Sequence, residues 1–269
     1  MAYLKTESGQ QVHYVHYRVD DRRPAMVLIH GWGMSGDYWN SAVEALAASG
    51  SSSIVLDHRG CGASDRDFED MSIEAIAQDV VDIVSECGVR AVVLNGWSLG
   101  GAVAVEAAHR LGNAVKGLVL TCGATPRYTQ TDDFPHGGKA DDVAANGAAI
   151  TADRANFFRT LAEGAVAEGA SPALISWLER GFLASGPMAS RTLMGLADLD
   201  QRAILQGFAF PVLSIGGAKD GIVDPDISRR AAEIAPHGRH LVLDTGHSPH
   251  LEEPAAYHQA VTEFMETIA

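Results

Sequence analysis

The sequence predicts an α/β fold, a doubly wound and mostly parallel sheet with an N-terminal antiparallel hairpin and an inserted helical cap. Four observations carry this. Short apolar runs rich in β-branched residues recur at 25–29, 53–56, 91–94, 115–121, 211–215 and 240–243, as expected of strands buried on both faces. Helical segments separate most of them, and alternating β and α elements imply parallel crossovers. Residues 2–6 and 11–18 alternate polar and apolar around Ser8-Gly9-Gln10, which reads as a hairpin. Finally, no strand pattern occurs between 126 and 204. The expected organisation is therefore a core of residues 1–125 and 205–269, with residues 126–204 forming a cap over the edge of the sheet.

Taken in order, Pro24 opens the buried run Ala25–Ile29, which ends in His30-Gly31-Trp32-Gly33-Met34-Ser35-Gly36. Glycines so close to a strand end point to backbone N–H groups that must approach something closely, and residues 37–48 read as a helix. The run 53–56 leads into Asp57-His58-Arg59-Gly60-Cys61-Gly62-Ala63-Ser64. Asp57 and Arg59 are expected to pair there, in a structural loop. Residues 72–87 give the strongest helix, with Ser72 as N-cap, Met71 and Ile76 as a hydrophobic staple, and Gly88 as the stop. Its apolar face (Ile73, Ile76, Val80, Ile83, Val84, Cys87) makes Cys87 a core residue. His13 and His16 lie three apart on a strand, on opposite faces, so a shared metal is not expected. Residues 126–147 are Gly- and Asp-rich with weak periodicity, whereas 148–204 are helical, their apolar residues building a cap core or the wall of a pocket. Alternation resumes at 211–215, with helices at 226–235 and 254–268 around the strand 240–244.

The chemistry centres on Gly96-Trp97-Ser98-Leu99-Gly100, between the strand 91–97 and an alanine-rich helix at about 99–111. A serine on so tight a strand-to-helix turn has strained dihedrals, and side chains two residues away would collide, which explains the flanking glycines. The hydroxyl then stands at a helix N-terminus, where N–H groups favour developing negative charge. Asp220 and His247 each follow the end of another predicted strand. A nucleophile, an acid and a base thus emerge at one sheet edge, where open α/β sheets bind ligands.

The net charge of −14 excludes the basic footprint that a nucleic-acid or anionic-membrane partner needs. No apolar run approaches a membrane span, and the opening residues carry no secretory apolar region. Cys61, Cys87 and Cys122 are odd in number and scattered, against a disulfide framework or a cysteine metal site. The cytoplasm is the expected compartment, and neither cofactor nor metal is expected.

With these motifs in place, the chain resembles the α/β-hydrolase fold family over essentially its whole length. The segments that carry the likeness are His30-Gly31-Trp32-Gly33, Asp57–Ser64, Gly96–Gly100, Lys219-Asp220-Gly221-Ile222-Val223, Gly246-His247-Ser248-Pro249 and Glu252-Glu253-Pro254. Within the family it is similar to pimeloyl methyl ester esterases, cofactor-free haloperoxidase-like esterases and acyl-lactone hydrolases. The resemblance implies Ser98 as nucleophile, His247 as general base and Asp220 as the acid that orients it. It implies an oxyanion hole from the backbone N–H groups of Trp32 and Leu99. His250 is the rival base and Asp224 the rival acid, since Asp224 stands where many relatives have proline; Asp244 is expected in a surface role. Serine at the elbow excludes the relatives that use aspartate there. The expected reaction is hydrolysis of small to medium apolar carboxylic esters through an acyl-enzyme, with Trp32, Met34 and Trp97 against the substrate. A lactonase is the nearest rival. A slow-turnover ligand receptor is the rival from another class, and Arg154, Arg159 and Arg180 are the cap cations that would serve an acidic carrier protein.

Overall fold

The computed structural model describes residues 2–268. One eight-stranded sheet runs in the order β1-β2-β4-β3-β5-β6-β7-β8, formed by β1 (Ala2–Lys5), β2 (Gln11–Tyr17), β3 (Ala25–Ile29), β4 (Ser53–Leu56), β5 (Val92–Trp97), β6 (Val115–Thr121), β7 (Val212–Gly217) and β8 (Gly238–Leu243). The hairpin β1–β2 is antiparallel and joins β4 antiparallel; all other pairings are parallel. Strands β3, β4 and β5 are buried at every residue, which is why their sequences are dominated by apolar residues, Ser53 and Asn95 being the polar ones. Strand β8, at the edge, instead alternates in exposure.

The core helices are α1 (Asn40–Ala48), α2 (Ile73–Glu86) and α3 (Leu99–Leu111). Helix α2 begins as its sequence predicts: the Ser72 hydroxyl accepts the Ala75 N–H at 3.1 Å, and Gly88 closes the end at φ +66°. Between β6 and β7 lie α4 (Ala140–Ala152), α5 (Arg154–Gly164), α6 (Pro172–Ala184), α7 (Ser190–Met194) and α8 (Arg202–Gln206); α9 (Pro225–Ile234), α10 (Pro249–Glu252) and α11 (Pro254–Ile268) complete the chain. Helix α4 starts inside the stretch read as weakly periodic. Only Val143 and Ile150 of its thirteen residues are buried, so its alanine-rich sequence has helix propensity with almost no apolar periodicity to reveal it.

Helices cover both faces of the sheet. Asn95 points toward α11, where it donates to the Tyr257 hydroxyl at 2.9 Å, while its neighbour Gly96 faces the α3 backbone. Helix α1 packs on α11 on one side; α2, α3, α8 and α9 form a contiguous layer on the other. Parallel strands β3 to β7 therefore open their carboxyl ends toward the helices of the insertion.

The expected Asp57–Arg59 pair does not form. Both Asp57 oxygens are occupied by the N–H groups of Gly36 (2.7 Å) and Ala63 (2.8 Å) and by His13 Nδ1 (2.8 Å). Arg59 turns the other way, forks onto Asp79 at 2.6 and 2.8 Å, and lies over the Phe68 ring. The chain turns at Arg59-Gly60, where Gly60 takes φ +76°, so the two side chains diverge and each finds its own partner on another element. His58 is buried and stacked on His30, with ring centroids 3.8 Å apart.

Candidate active site

Ser98 caps α3 with φ 58° and ψ −125°, a conformation that non-glycine residues adopt only when their surroundings over-determine it. The surroundings here are backbone. A Cβ on Gly96 would lie 2.7 Å from the Gly101 Cα, and one on Gly100 would lie 2.5 Å from the His30 carbonyl oxygen. Neither obstacle can swing aside as a side chain could, so the two glycines are steric necessities of the turn. The Ser98 carbonyl accepts N–H groups from Gly101 (2.8 Å) and Ala124 (2.9 Å), tying the turn to the segment after β6.

The loop after β3 is held by a histidine that does no chemistry. His30 Nε2 accepts the His58 backbone N–H at 2.9 Å, so its Nδ1 carries the proton and donates to the Gly31 carbonyl at 2.7 Å. Complete burial lowers the pKa of His30, in keeping with this neutral tautomer. With the Gly31 peptide fixed, the Trp32 N–H is oriented. Among the described residues neither the Trp32 nor the Leu99 N–H has a hydrogen-bond partner, and both residues line the same cavity as Ser98 and His247.

The acid loop follows β7. Asp220 Oδ1 accepts the N–H groups of Ile222 (2.8 Å) and Val223 (2.9 Å), and Oδ2 lies 2.8 Å from His247 Nδ1. The His247 and Asp220 side chains are 5% and 2% exposed, so this bond is shielded from water. Trp97 Nε1 donates to the His247 carbonyl at 2.7 Å, joining the strand that ends before Ser98 to the histidine loop. Glu252 is the residue in this region whose role the sequence does not spell out. Its carboxylate accepts the N–H groups of Gly246 (3.0 Å), Ser248 (3.1 Å) and Ala167 (2.7 Å), pinning both sides of His247 to the cap. The Glu-Glu-Pro segment six residues after the Gly-His pair is its only sequence signal.

Asp224, Asp244 and His250 have other surroundings. Asp224 caps α9, accepting the N–H groups of Asp226 and Gly137 at 2.9 Å each. Asp244 is exposed and paired with Lys219. His250 is fully buried between Trp39 and Trp97, at 4.4 and 4.6 Å between centroids, with no partner on either nitrogen, and burial holds its pKa well below the usual value. Cys122, at φ +44° after β6, shares a small space with Asp220 and His247, their potential ligand atoms lying within 4.8 Å of one another. Burial raises the Cys122 thiol well above its ordinary pKa, leaving it a neutral thiol and a poor metal ligand.

Over these groups lies a small, partly open cavity of about 60 Å³. Trp32, Met34 and Trp97 line it, as do Phe157, Leu161, Phe182, Leu193 and Leu196 from the insertion. Both indoles are anchored: Trp32 Nε1 donates to the Ala189 carbonyl at 2.7 Å, and its ring packs against Phe158 and Phe182. Tyr128, Asn146, Ala165 and Ile222 also reach the wall and could not be picked out from periodicity. The cap cations are largely committed. Arg154 donates to the Ser185 carbonyl and lies over the Phe158 ring, and Arg159 pairs with Glu163 and Glu179.

The chain is 31% identical over 250 residues to a pimeloyl-[acyl-carrier protein] methyl ester esterase of Sodalis glossinidius, covering 90% of this chain and 93% of the relative. Its fold superposes with a TM-score of 0.93 on the esterase EaEST of Exiguobacterium antarcticum, at 22% identity and 98% coverage of both chains. It superposes at 0.82 on Est816, an N-acyl homoserine lactone degrading enzyme, also at 22% identity, covering 98% of this chain and all of that one. Among the described residues no helix is long and apolar enough to cross a membrane. The model of the alpha/beta hydrolase fold matches residues 24–254, a span that takes in the strained serine turn, the acid loop and the histidine loop alike, and the chain belongs to that family.

Proposed function

We propose that the protein is a serine hydrolase of small to medium apolar carboxylic esters, with residues 126–204 as the cap that shapes its substrate. One observation carries the reading. His247, held through Nδ1 by Asp220 at 2.8 Å, lines the same apolar cavity as the strained Ser98 and two unengaged N–H groups.

In this mechanism the Ser98 hydroxyl attacks the ester carbonyl while His247 takes its proton on Nε2. The carbonyl oxygen becomes an oxyanion facing the N–H groups of Trp32 and Leu99. Donors of this kind stabilise charge that appears only in the transition state, each contributing roughly 3–4 kcal/mol. Asp220 holds the imidazole in the tautomer with a free Nε2 and stabilises its cation. Collapse expels the alcohol with the proton from His247. Water then attacks the acyl-enzyme, gives a proton to His247, and releases the acid as Ser98 recovers its hydrogen.

Trp32, Met34 and Trp97 would contact the substrate, and a cytoplasmic small-molecule ester is the partner this reading implies. A panel of p-nitrophenyl esters and acyl lactones, run with Ser98→Ala alongside, tests it. Steady product release lost in the variant supports the proposal and ranks ester against lactone. A single stoichiometric burst without turnover would instead favour a receptor. Wild-type turnover by Ser98→Ala would end the proposal.

A further inference from the structure

The cavity wall contains one polar side chain that the chemistry above leaves unused. Of the side chains that bear polar atoms, Ser98 and His247 serve the reaction. Trp32 Nε1 and Trp97 Nε1 donate to the carbonyls of Ala189 and His247, and the Tyr128 hydroxyl donates to the Ile222 carbonyl at 3.2 Å. Asn146 remains. Among the described residues its amide has no hydrogen-bond partner, although the residue is only partly exposed.

Its place on α4 is informative. The buried residues of this helix are Val143 and Ile150, three before and four after Asn146. Those offsets put all three on one stripe, the stripe turned toward the protein interior. An aliphatic residue is the default on such a stripe, whereas the Asn146 amide stays accessible at the cavity wall, open to a group that enters it. No lysine, arginine, aspartate or glutamate lines the cavity. A carboxylate or ammonium group in the substrate would have to be desolvated there without a counter-charge.

We propose that Asn146 is a specificity residue selecting uncharged esters or lactones whose acyl part carries a hydrogen-bonding group, a ketone, hydroxyl or amide, and that the same wall rejects charged acyl groups. The inference rests on the hydrolase reading and adds substrate class to it. An amide both donates and accepts, so it meets any of these groups with one rotation.

Methyl octanoate, its keto analogues with the ketone stepped from C3 to C7, and the anionic monomethyl suberate test this directly. The readout is the ratio of kcat/KM for the best keto ester to that for methyl octanoate. Wild type is expected to prefer at least one keto ester, and Asn146→Leu, which keeps the branching of the side chain while removing its donor and acceptor, should lower that preference about five- to tenfold, the range of one neutral hydrogen bond. Asn146→Asp, which keeps an acceptor and loses the donor, should not restore it. Monomethyl suberate should turn over at about a hundredth of the octanoate rate or less, given the desolvation of its charge. A preference unchanged within about twofold in Asn146→Leu, or suberate turned over as well as octanoate, overturns the inference even where Ser98-dependent hydrolysis is intact. Calorimetric binding of the same pairs to Ser98→Ala, with and without Asn146→Leu, separates the two readings. A keto preference in binding that depends on Asn146, in a protein that never turns over any ester, would retain Asn146 and discard the hydrolase.

Discussion

Replacing Asp220 by asparagine tests the site with almost no change of shape. The two carboxylate oxygens are not equivalent. Oδ1 accepts two backbone N–H groups, from Ile222 at 2.8 Å and Val223 at 2.9 Å, while Oδ2 faces His247 Nδ1 at 2.8 Å. In Asp220→Asn the amide must place its oxygen on the two N–H donors, because an NH₂ there would confront them with nothing to accept. The NH₂ group then faces His247 and requires Nδ1 to accept. That forces the proton onto Nε2, the nitrogen that has to take the proton of Ser98. The variant is thus folded but holds the wrong tautomer, and the carboxylate that stabilises the imidazolium is gone.

Substitutions of this type in serine triads lower kcat by roughly 10⁴-fold, about 5 kcal/mol of transition-state stabilisation. The expected loss here is therefore between about 10³- and 10⁴-fold, with a melting temperature near that of wild type. Hydrolysis of p-nitrophenyl butyrate near neutral pH measures it, with Asp224→Asn as the comparison. Asp224 caps α9 and is not bonded to His247, so its variant should keep activity within about threefold; asparagine caps as well as aspartate, and the NH₂ that replaces the acceptor of the Gly137 N–H should cost around 1 kcal/mol of stability. Activity above about a tenth of wild type in Asp220→Asn, or a greater loss in Asp224→Asn, would refute the reasoning, because a wrong-tautomer histidine cannot act as the base.

Three further outcomes follow from the same geometry. Gly100→Ala places a methyl 2.5 Å from the His30 carbonyl oxygen, so chemical denaturation should show a loss of about 3 kcal/mol or failure to fold; a loss under 1 kcal/mol would contradict the steric account. Glu252→Gln weakens three bonds to the N–H groups of Gly246, Ser248 and Ala167, and is expected to lower stability by about 1–3 kcal/mol and kcat as well; unchanged kcat with lowered stability would separate the loop from the chemistry. Acidification should destabilise the fold. His30, His58 and His250 are buried with lowered pKa, so the unfolded chain binds protons below about pH 6.5 that the native state does not. Stability is then fully present above that pH and falls as pH drops, by up to about 1.4 kcal/mol per unit for each histidine. Urea titrations at several pH values between 7 and 5.5 read the slope, and His250→Phe should flatten it by less than a third, because partly buried His16, His240 and His258 also have lowered pKa; an unchanged slope would remove His250 from the account.

The parts of this molecule that could be read from sequence are those whose physics is local. The buried strands announce themselves because burial on both faces makes β3, β4 and β5 largely apolar. The Ser72 cap and the glycines around Ser98 answer constraints spanning only a few residues. Where a residue's partner is distant in sequence, reading fails. Asp57 and Arg59 were natural partners by proximity, yet Asp57 serves Gly36, Ala63 and His13 while Arg59 serves Asp79. Cavity residues are the extreme case. Phe157 and Phe158 are adjacent, similar and both apolar, but Phe158 is buried in the cap core and Phe157 lines the cavity. No periodicity distinguishes them, because the distinction is made by the packing of helices whose order alone is written locally.

A comparison of the histidines shows how the fold assigns chemistry. His30, His58, His247 and His250 are all buried near one another, and all are of the type that does acid–base work. Three are kept out of it by different means. His30 has both nitrogens engaged, one accepting from the His58 N–H and one donating to the Gly31 carbonyl. His58 is stacked on His30 and held neutral by burial. His250 sits between two indoles with no proton acceptor for its cation. His247 alone has an anion on one nitrogen and the cavity before it. A base must gain a proton and give it back, which requires a partner for the cation and access to the reacting atom. That combination, rather than the presence of a histidine, is what the proposed role of His247 rests on, and it is why a variant as small as Asp220→Asn is expected to reach the chemistry while leaving the fold in place.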